Sequence, residues 1–453
     1  MSMIGKIIQL SQNIGVSIME SIEITDSHLI KVSQQISTQD IKNAVDQVLN
    51  KENGSRLKFY LSSCINCGMC FNACHFCISH NFDPYYSPVG KVKNTLKKII
   101  KKNGEITPIE MAKIAEIAFT ECTLCKRCVL YCPMGIDTAY LMSVVRRICC
   151  LIGMVPQYIQ DTVNSHAAFF NQMWVKDDEW VDTLKWQEEE LRGEFPWGEI
   201  PIDKVGADFM YSVIAPEPKF SPELIYYMSS IFNIAKVNWT MSSQPGWDNS
   251  DMAMYVRDDT ISQQLKRSHF EAALKLKCNY IVMCECGHAF RSVYDTINRQ
   301  LGWKYYPIKV IHAVEFLAYL LKRGKIKIRE KIKEPVTIHD PCNISRGRGL
   351  HNLLREVVSY LCENIIEMYP NKEHNICCGA GGGVINCGPI YKEKRVKGNK
   401  VKAEQLKKTG AKIVIAPCHN CHSGLEDIVQ FYELDMKVRF LGEIIYNLME
   451  KPV

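Results

Sequence analysis

Cys64-Ile65-Asn66-Cys67-Gly68-Met69-Cys70-Phe71-Asn72-Ala73-Cys74 places four thiols at the spacing C-x2-C-x2-C-x3-C. The same spacing returns at Cys122-Thr123-Leu124-Cys125-Lys126-Arg127-Cys128-Val129-Leu130-Tyr131-Cys132, with Pro133 behind it. Three thiolates from one tight loop surround a cluster corner, and the fourth, at the start of a helix, reaches the neighbouring cluster. The spacing therefore predicts two cubane [4Fe–4S] clusters with crossed ligation. Cys64, Cys67, Cys70 and Cys132 hold one; Cys122, Cys125, Cys128 and Cys74 hold the other. A zinc site pairs two CxxC units and has no use for the third and fourth cysteine of each run.

The first motif departs from the pattern at His75, where proline usually follows the fourth cysteine. Cys77 is open between a stand-in ligand and a small buried thiol. Ile109, Ala112, Ala115 and Phe119 recur at helical spacing before the second motif, and Thr138–Cys150 reads as a helix after it. Residues 58–155 are thus expected to be an all-helical two-cluster ferredoxin module, preceded by an extension over 1–57.

The whole chain fits this reading. It has 453 residues, 21 of them Cys, with 47% hydrophobic and 23% charged residues and a formal charge of +6. That is enough length for several cores without disulfide staples, and too little charge for disorder. The first residues make a poor signal peptide, and no window is apolar enough to span a membrane. A cytoplasmic setting is expected, where clustered cysteines mean metal rather than disulfides. The mild charge and the lack of aromatics among the basic residues argue against nucleic acid.

After a helical, tryptophan-rich linker over 156–200, strands and helices alternate. Gly206–Ala215, Asn279–Met283, Val336–His339 and Lys412–Ala416 read as strands, and 222–232 and 350–362 as helices. Ile281-Val-Met-Cys-Glu-Cys286 can be laid on Ile413-Val-Ile-Ala-Pro-Cys418, and Ile214-Ala-Pro-Glu-Pro on Ile338-His-Asp-Pro-Cys342. An internal repeat follows: one α/β lobe over 201–330 and another over 331–453. The expected fold class is α+β multidomain, an all-helical two-cluster module followed by two α/β lobes.

Only the second lobe keeps a full cysteine set: Cys342, Cys377-Cys378, and Cys418-His419-Asn420-Cys421, on three loops at strand ends. Gly379, Gly381, Gly382 and Gly383 follow the cysteine pair and would let the backbone approach inorganic sulfide. A four-cysteine zinc site would leave the fifth thiol and the glycines without a role.

Together, Cys342, Cys377-Cys378-Gly379 and Cys418-x-x-Cys421 resemble the CCG domain of heterodisulfide reductases. Joined to the two-cluster module, the chain resembles the fused HdrD-type subunit, nearest to its DsrK/TmcB branch from membrane redox complexes of sulfate reducers. The resemblance covers about 58–430. It implies that the five cysteines hold a non-cubane [4Fe–4S] cluster. It also implies a cytochrome b-type membrane subunit and other redox-complex subunits as partners, and a peripheral place on the inner face of the cytoplasmic membrane. Its implied substrate is a disulfide or trisulfide on a small DsrC-like sulfur-carrier protein. Heterodisulfide reductases proper carry two five-cysteine sets. Here the first lobe has Trp239-Thr-Met-Ser-Ser243 where the pair would lie, so it is a degenerate CCG-like lobe.

Around the second site, His288, His339, His419 and His422 are candidate proton donors. Arg346 and Arg348 are candidates for an anionic substrate arm. Cys284 and Cys286 are open between pocket lining and inert burial. Lys392, Lys394, Arg395, Lys397, Lys400 and Lys402 read as a solvated helix face. No GxGxxG follows a strand, so no flavin or nicotinamide is expected in this chain. The competing reading is a pure electron-relay subunit.

Overall fold

A computed structural model describes residues 23–296 and 307–452. The chain divides into two compact units. Among the described residues, unit 1 comprises 23–160, 255–257 and 379–402; unit 2 comprises 161–254, 258–296, 307–378 and 403–452.

Among its described residues, unit 1 has helices and turns but no strand. Helices open where the local chemistry caps them. Ser37 and Asp40 form a capping box for Thr38–Asp46, and Thr107 and Glu110 form one for Pro108–Thr120, with Pro108 in the first turn. Pro108–Thr120 buries almost its whole length and packs against Thr138–Leu151. The extension also belongs here. Ser27–Ser33 packs on Pro108–Thr120, and Thr25 donates from its backbone N–H and its hydroxyl to Glu116, at 2.8 and 2.9 Å. The rest of the extension, residues 1–22, lies outside the described residues.

Unit 2 contains two parallel sheets. β1 (Phe209–Ser212), β2 (Trp239–Thr240), β3 (Tyr280–Met283) and β4 (Lys309–His312) form one, in the order β2-β1-β3-β4. β5 (Val336–Ile338), β6 (Ile413–Ile415) and β7 (Lys437–Arg439) form the other, in the order β5-β6-β7. The orders β1-β3-β4 and β5-β6-β7 are alike, with a helix after each of these strands, although the first sheet has β2 as a further strand. Strands this short carry little pattern of their own, and burial on both faces leaves them as brief apolar runs. Parallel strands send their carboxyl-end loops to one edge, where sites form. The linker anchors to this unit through Trp180, which stacks on Trp247 at 4.3 Å and donates its indole N–H to the Ser242 carbonyl at 2.9 Å.

One segment falls outside the lobe in which the sequence reading puts it. Gly379–Lys402, numerically inside 331–453, packs with unit 1. Its basic run is a solvated face only in part: Lys392, Lys397 and Lys400 are exposed, but Lys394 bonds Glu121 at 2.9 Å and Glu116 at 3.5 Å, and Arg395 and Lys402 are buried. The acids that draw Lys394 inward lie far away in sequence, so the run alone gives no hint of them.

Candidate metal centres

Each four-cysteine motif is bent by the same backbone device. Asn66 and Gly68 adopt positive φ in the first loop, and Leu124 and Lys126 do so at the equivalent places in the second. Left-handed residues alternating with right-handed ones turn successive backbone N–H groups toward one side, a geometry suited to anions such as thiolates and sulfides. The first loop continues into a 3-10 turn at Met69–Ala73, and Cys74 caps the helix His75–Ser79. The second loop leads into Arg127–Tyr131, with Cys132 at its end.

The eight thiols of the two motifs lie close together. Cys64, Cys67, Cys70 and Cys132 line one cavity, and Cys64, Cys70 and Cys132 line a second with Cys128. Burial raises the Cys70 thiol to about 11, helped by the neighbouring charges of Cys64, Cys67 and Cys132. Cys128 is raised well above its ordinary value, first by burial and then by Cys125, Cys122 and Cys74. Packing thiols so that each makes its neighbour harder to ionise is unfavourable unless a cation neutralises them, and bound metal deprotonates a coordinating thiol outright. The donors present therefore fit iron–sulfur clusters.

Charged side chains brace these loops. Arg127 donates to the Asn72 and Ala73 carbonyls at 3.0 and 2.9 Å, tying the second motif to the first. Lys91, 2% exposed, donates to Cys74 Sγ at 3.4 Å and to the Glu121 carbonyl, and lies 4.6 Å from the Phe76 ring centre. Arg146, with no exposure, reaches the Ala118, Cys122, Tyr255 and Gly382 carbonyls. His75 is buried against Phe76 and opens the short helix after Cys74 without proline. Cys77 is buried, its thiol raised to about 12 by burial, and its Sγ turns to the Asp83 carbonyl at 3.6 Å. That is the environment of a structural thiol.

The glycine run has a tight packing role within unit 1. Gly382 and Gly383 have positive φ, and a Cβ on Gly382 would collide with the Thr123 carbonyl. Gly379 likewise has positive φ and lies close to Asn399. Gly381 is roomier, its nearest atom the Thr123 oxygen at 3.9 Å. Gly382→Ala combines left-handed strain of about 1–2 kcal/mol with overpacking of about 1–3 kcal/mol. It is expected to lower the melting temperature by several degrees, whereas Gly381→Ala leaves it nearly unchanged. Equal melting of the two variants would refute this packing role.

Two of the three cysteine loops leave strand ends; Cys377–Cys378 instead follow the 3-10 turn Lys372–His374, with no strand directly before them, contrary to the expectation that every loop sits at a strand end. Cys342 lies in the turn after β5, Cys418 caps the helix His419–Phe431 after β6, and Cys421 is in that helix's first turn. Cys377, Cys378, Cys418 and Cys421 are buried, and Cys342 is half-buried. Cys378 is held well below its ordinary value by hydrogen bonds from Cys377 and Cys421, with His339 adding to them. Cys418 is held down by Cys286 and then Cys421. The donating thiols are pushed up, Cys286 first by burial and then by its bond to Cys418, Cys421 first by its bonds to Cys378 and Cys418. One ligand atom each of His339, Cys378 and Cys421 lies within 4.8 Å of the others.

Two participants are less visible in sequence. Cys286, in the first lobe, meets the thiol of Cys418, and the Gly287 N–H donates to Cys418 Sγ at 3.4 Å. The repeat alignment places Cys286 opposite Cys418, and that is its only signal. His288 Nδ1 lies 2.9 Å from Cys286 Sγ, and burial lowers this imidazole to about 4. Other candidates face elsewhere. Arg346 holds the Glu373 and Asn375 carbonyls at 2.8 and 2.7 Å, bracing the approach to Cys377. Arg348 lies over the Tyr294 ring at 4.0 Å. His422 stacks on Phe440 and pairs with Glu426. Cys284 lies beside Asn249, and His419 bonds Glu217.

Comparison with known proteins agrees with both centres. A 4Fe-4S dicluster domain matches residues 60–136, and a cysteine-rich CCG domain matches 336–426. A dihydromethanophenazine:CoB--CoM heterodisulfide reductase chain of Methanosarcina barkeri is 26% identical, over 85% of this chain and 93% of its own. The iron-sulfur subunit of an Hdr-like menaquinol oxidoreductase from Archaeoglobus profundus is 24% identical, over 88% and 82% respectively. An EtfAB:quinone oxidoreductase of Syntrophomonas wolfei is 23% identical, over 86% of this chain and 58% of its own. Among solved structures, glutamate racemase isoform RacE1 from Bacillus anthracis aligns over 53% of this chain and 79% of its own at 13% identity. Its TM-score of 0.27 carries no weight.

Proposed function

Taking this chain as the HdrD-like, CCG-domain iron–sulfur subunit that its domains and relatives make it, we propose that it couples single-electron transfer to breaking or forming a sulfur–sulfur bond. The observation that carries the reading is the joining of two four-cysteine sets and one five-cysteine set in one chain, with acidified Cys378 and Cys418 at the last. When bound, two cubanes would supply one-electron storage, and a non-cubane [4Fe–4S] cluster an iron accessible to a substrate sulfur.

The chain's own groups do the rest. Cys64, Cys67, Cys70 and Cys132, and Cys122, Cys125, Cys128 and Cys74, hold the two relays. Cys342, Cys377, Cys378, Cys418 and Cys421 hold the third centre. Cleaving a disulfide consumes two electrons and two protons and releases two thiols. Cys286 keeps a proton against Cys418, and His288 and His339 are placed to pass protons toward a leaving thiolate. The substrate in this reading is a disulfide or trisulfide on the arm of a small DsrC-like carrier protein. The electron partner is a cytochrome b-type membrane subunit, with other redox-complex subunits around it. Relatives that work with methanophenazine or menaquinol support a place at the cytoplasmic face of the membrane. No helix among the described residues is long and apolar enough to cross a membrane.

The test is EPR spectroscopy of the anaerobic protein during thiol titration. An oxidation-induced signal that broadens with sulfur-labelled thiol is expected, and Cys378→Ser should abolish it while sparing both cubane signals. Cubane signals alone, with no thiol response in the wild type, would leave the chain as an electron relay.

A further inference from the structure

The tryptophan-rich linker does more than anchor itself to unit 2. Its helix Asp177–Glu194 packs against the helix Glu223–Ile234, and an open cleft of about 410 Å³ remains between them. Trp186, Gln187 and Glu190 line the cleft from one side; Glu223, Tyr226 and Tyr227 line it from the other. Residues one turn apart share a helix face, so Trp186 with Glu190, and Glu223 with the two tyrosines, form the walls. Trp186 is 50% exposed, a large ring left in water. Gln187 is 3% exposed, and its side-chain amide has no hydrogen-bond partner among the described residues. A buried amide of this kind is costly unless something in the cleft meets it.

The cleft is negative as well as aromatic. The whole chain has a formal charge of +6, yet Asp177–Glu194 carries eight carboxylates against two cations. Both cations are already taken, Lys185 by Asp182 at 3.4 Å and Arg192 by Glu188 at 2.7 Å. Among the described residues, neither Glu190 nor Glu223 has an ion-pair partner. Beside the cleft the chain shows how this surface holds a cation. Lys451 lies 3.8 Å from the Tyr446 ring centre and bonds Glu194 at 2.8 Å, while the Tyr446 and Tyr226 hydroxyls donate to the same carboxylate. Tyr227 stacks on Tyr446 at 4.7 Å, so packing fixes both tyrosine walls before any ligand arrives.

We propose that this cleft takes the guanidinium of an arginine side chain presented by a partner polypeptide. A guanidinium stacks on aromatic faces, is weakly hydrated, and offers a fork of N–H donors that suits the two glutamates and the Gln187 carbonyl oxygen. A lysine ammonium is a strongly hydrated point charge and gains less from stacking. A quaternary ammonium would satisfy the rings but has no N–H to give Gln187 or the carboxylates. A hard metal ion wants a shell of oxygens and gains nothing from three aromatic walls. None of the lining groups is a proposed cluster ligand or proton donor, so this assignment stands or falls apart from the sulfur chemistry.

The test is a saturation-transfer NMR titration of the intact, cluster-loaded chain with N-acetyl-arginine amide. Saturable transfer to the arginine side-chain protons is expected, with none to the neutral N-acetyl-glutamine amide and weaker binding of tetramethylammonium. Trp186→Ala, and the isosteric pair Glu190→Gln with Glu223→Gln, should each weaken arginine binding by roughly three-fold or more, with iron content unchanged. Glu189→Gln, an exposed acid of the same helix that does not line the cleft, should leave it unaltered. No transfer from arginine, equal transfer from the glutamine analogue, or wild-type binding in both cleft variants overturns the assignment. An equal loss in Glu189→Gln overturns it too, since diffuse charge alone would then account for binding. Tetramethylammonium bound as tightly as arginine overturns the choice of a guanidinium. If Trp186→Ala fails to accumulate, the glutamine pair still decides.

Discussion

Arg146→Leu is expected to lower the melting temperature by roughly 10 °C or more and to cost the protein its second four-cysteine centre. Arg146 has no solvent exposure, and its guanidinium serves four carbonyls: Ala118 at 3.0 Å, Cys122 at 2.7 Å, Tyr255 at 3.1 Å and Gly382 at 2.5 Å. These carbonyls come from three stretches of unit 1 that are remote in sequence, so one side chain joins the motif loop, the 255–257 segment and the glycine run. Hydrogen bonds from a charged donor contribute about 1.5–3 kcal/mol each, and buried acceptors left bare cost about 1–3 kcal/mol. They share one donor and do not add fully, so a loss of roughly 4–5 kcal/mol is reasonable. That is a large part of the ~5–15 kcal/mol that a domain usually has. Leucine fills much of the volume and keeps the contact with Phe119, which isolates the polar loss. Arg146→Lys should fall between, since one ammonium cannot span four acceptors. Melting of the leucine variant within about 2 °C of wild type, with full iron content, would remove the clamp from the account.

What the sequence makes legible follows from how local each signal is. Cysteine spacing is strictly local, so both four-cysteine motifs and the strand-end placement of Cys342, Cys418 and Cys421 can be read directly, whereas Cys377 and Cys378 follow a 3-10 turn and not a strand. The strands β1, β3, β5 and β6 are readable because each is an apolar run beside a turn. β2, β4 and β7 are not, because two to four residues such as Lys437-Val-Arg439 become a strand only beside a neighbour. Contacts between remote residues are least legible. Nothing in the basic run around Lys394 announces that Glu116 and Glu121 will bury it. Nothing around Glu217 announces His419, 202 residues away. Gly379–Lys402 shows the same limit at a larger scale, since its glycines are explained by Thr123 and Asn399 rather than by the lobe they interrupt.

Lys91 offers the sharpest electrical prediction, because its charge sits beside one relay and not the other. Its ammonium is buried, donates to Cys74 Sγ at 3.4 Å and lies over Phe76. Burial opposes that charge, but Cys74, Cys122 and Glu121 outweigh the penalty and raise Lys91 above its ordinary value, so it stays a cation. In the proposed crossed assignment Cys74 belongs with Cys122, Cys125 and Cys128. A unit charge about 5 Å away in surroundings of effective dielectric about 20 stabilises the more negative, reduced state by about 3 kcal/mol. At about 59 mV per 1.4 kcal/mol for one electron, removing it should lower that centre's midpoint potential on the order of 100 mV. Lys91→Met keeps the length and the Phe76 contact while deleting the charge; Lys91→Arg keeps the charge. EPR-monitored redox titration is expected to show the downward shift in the methionine variant for one cubane only. The centre held by Cys64, Cys67, Cys70 and Cys132 then serves as the internal reference. Equal shifts at both centres would contradict the crossed ligation, and no shift at either would show that Lys91 braces the loop without setting the potential.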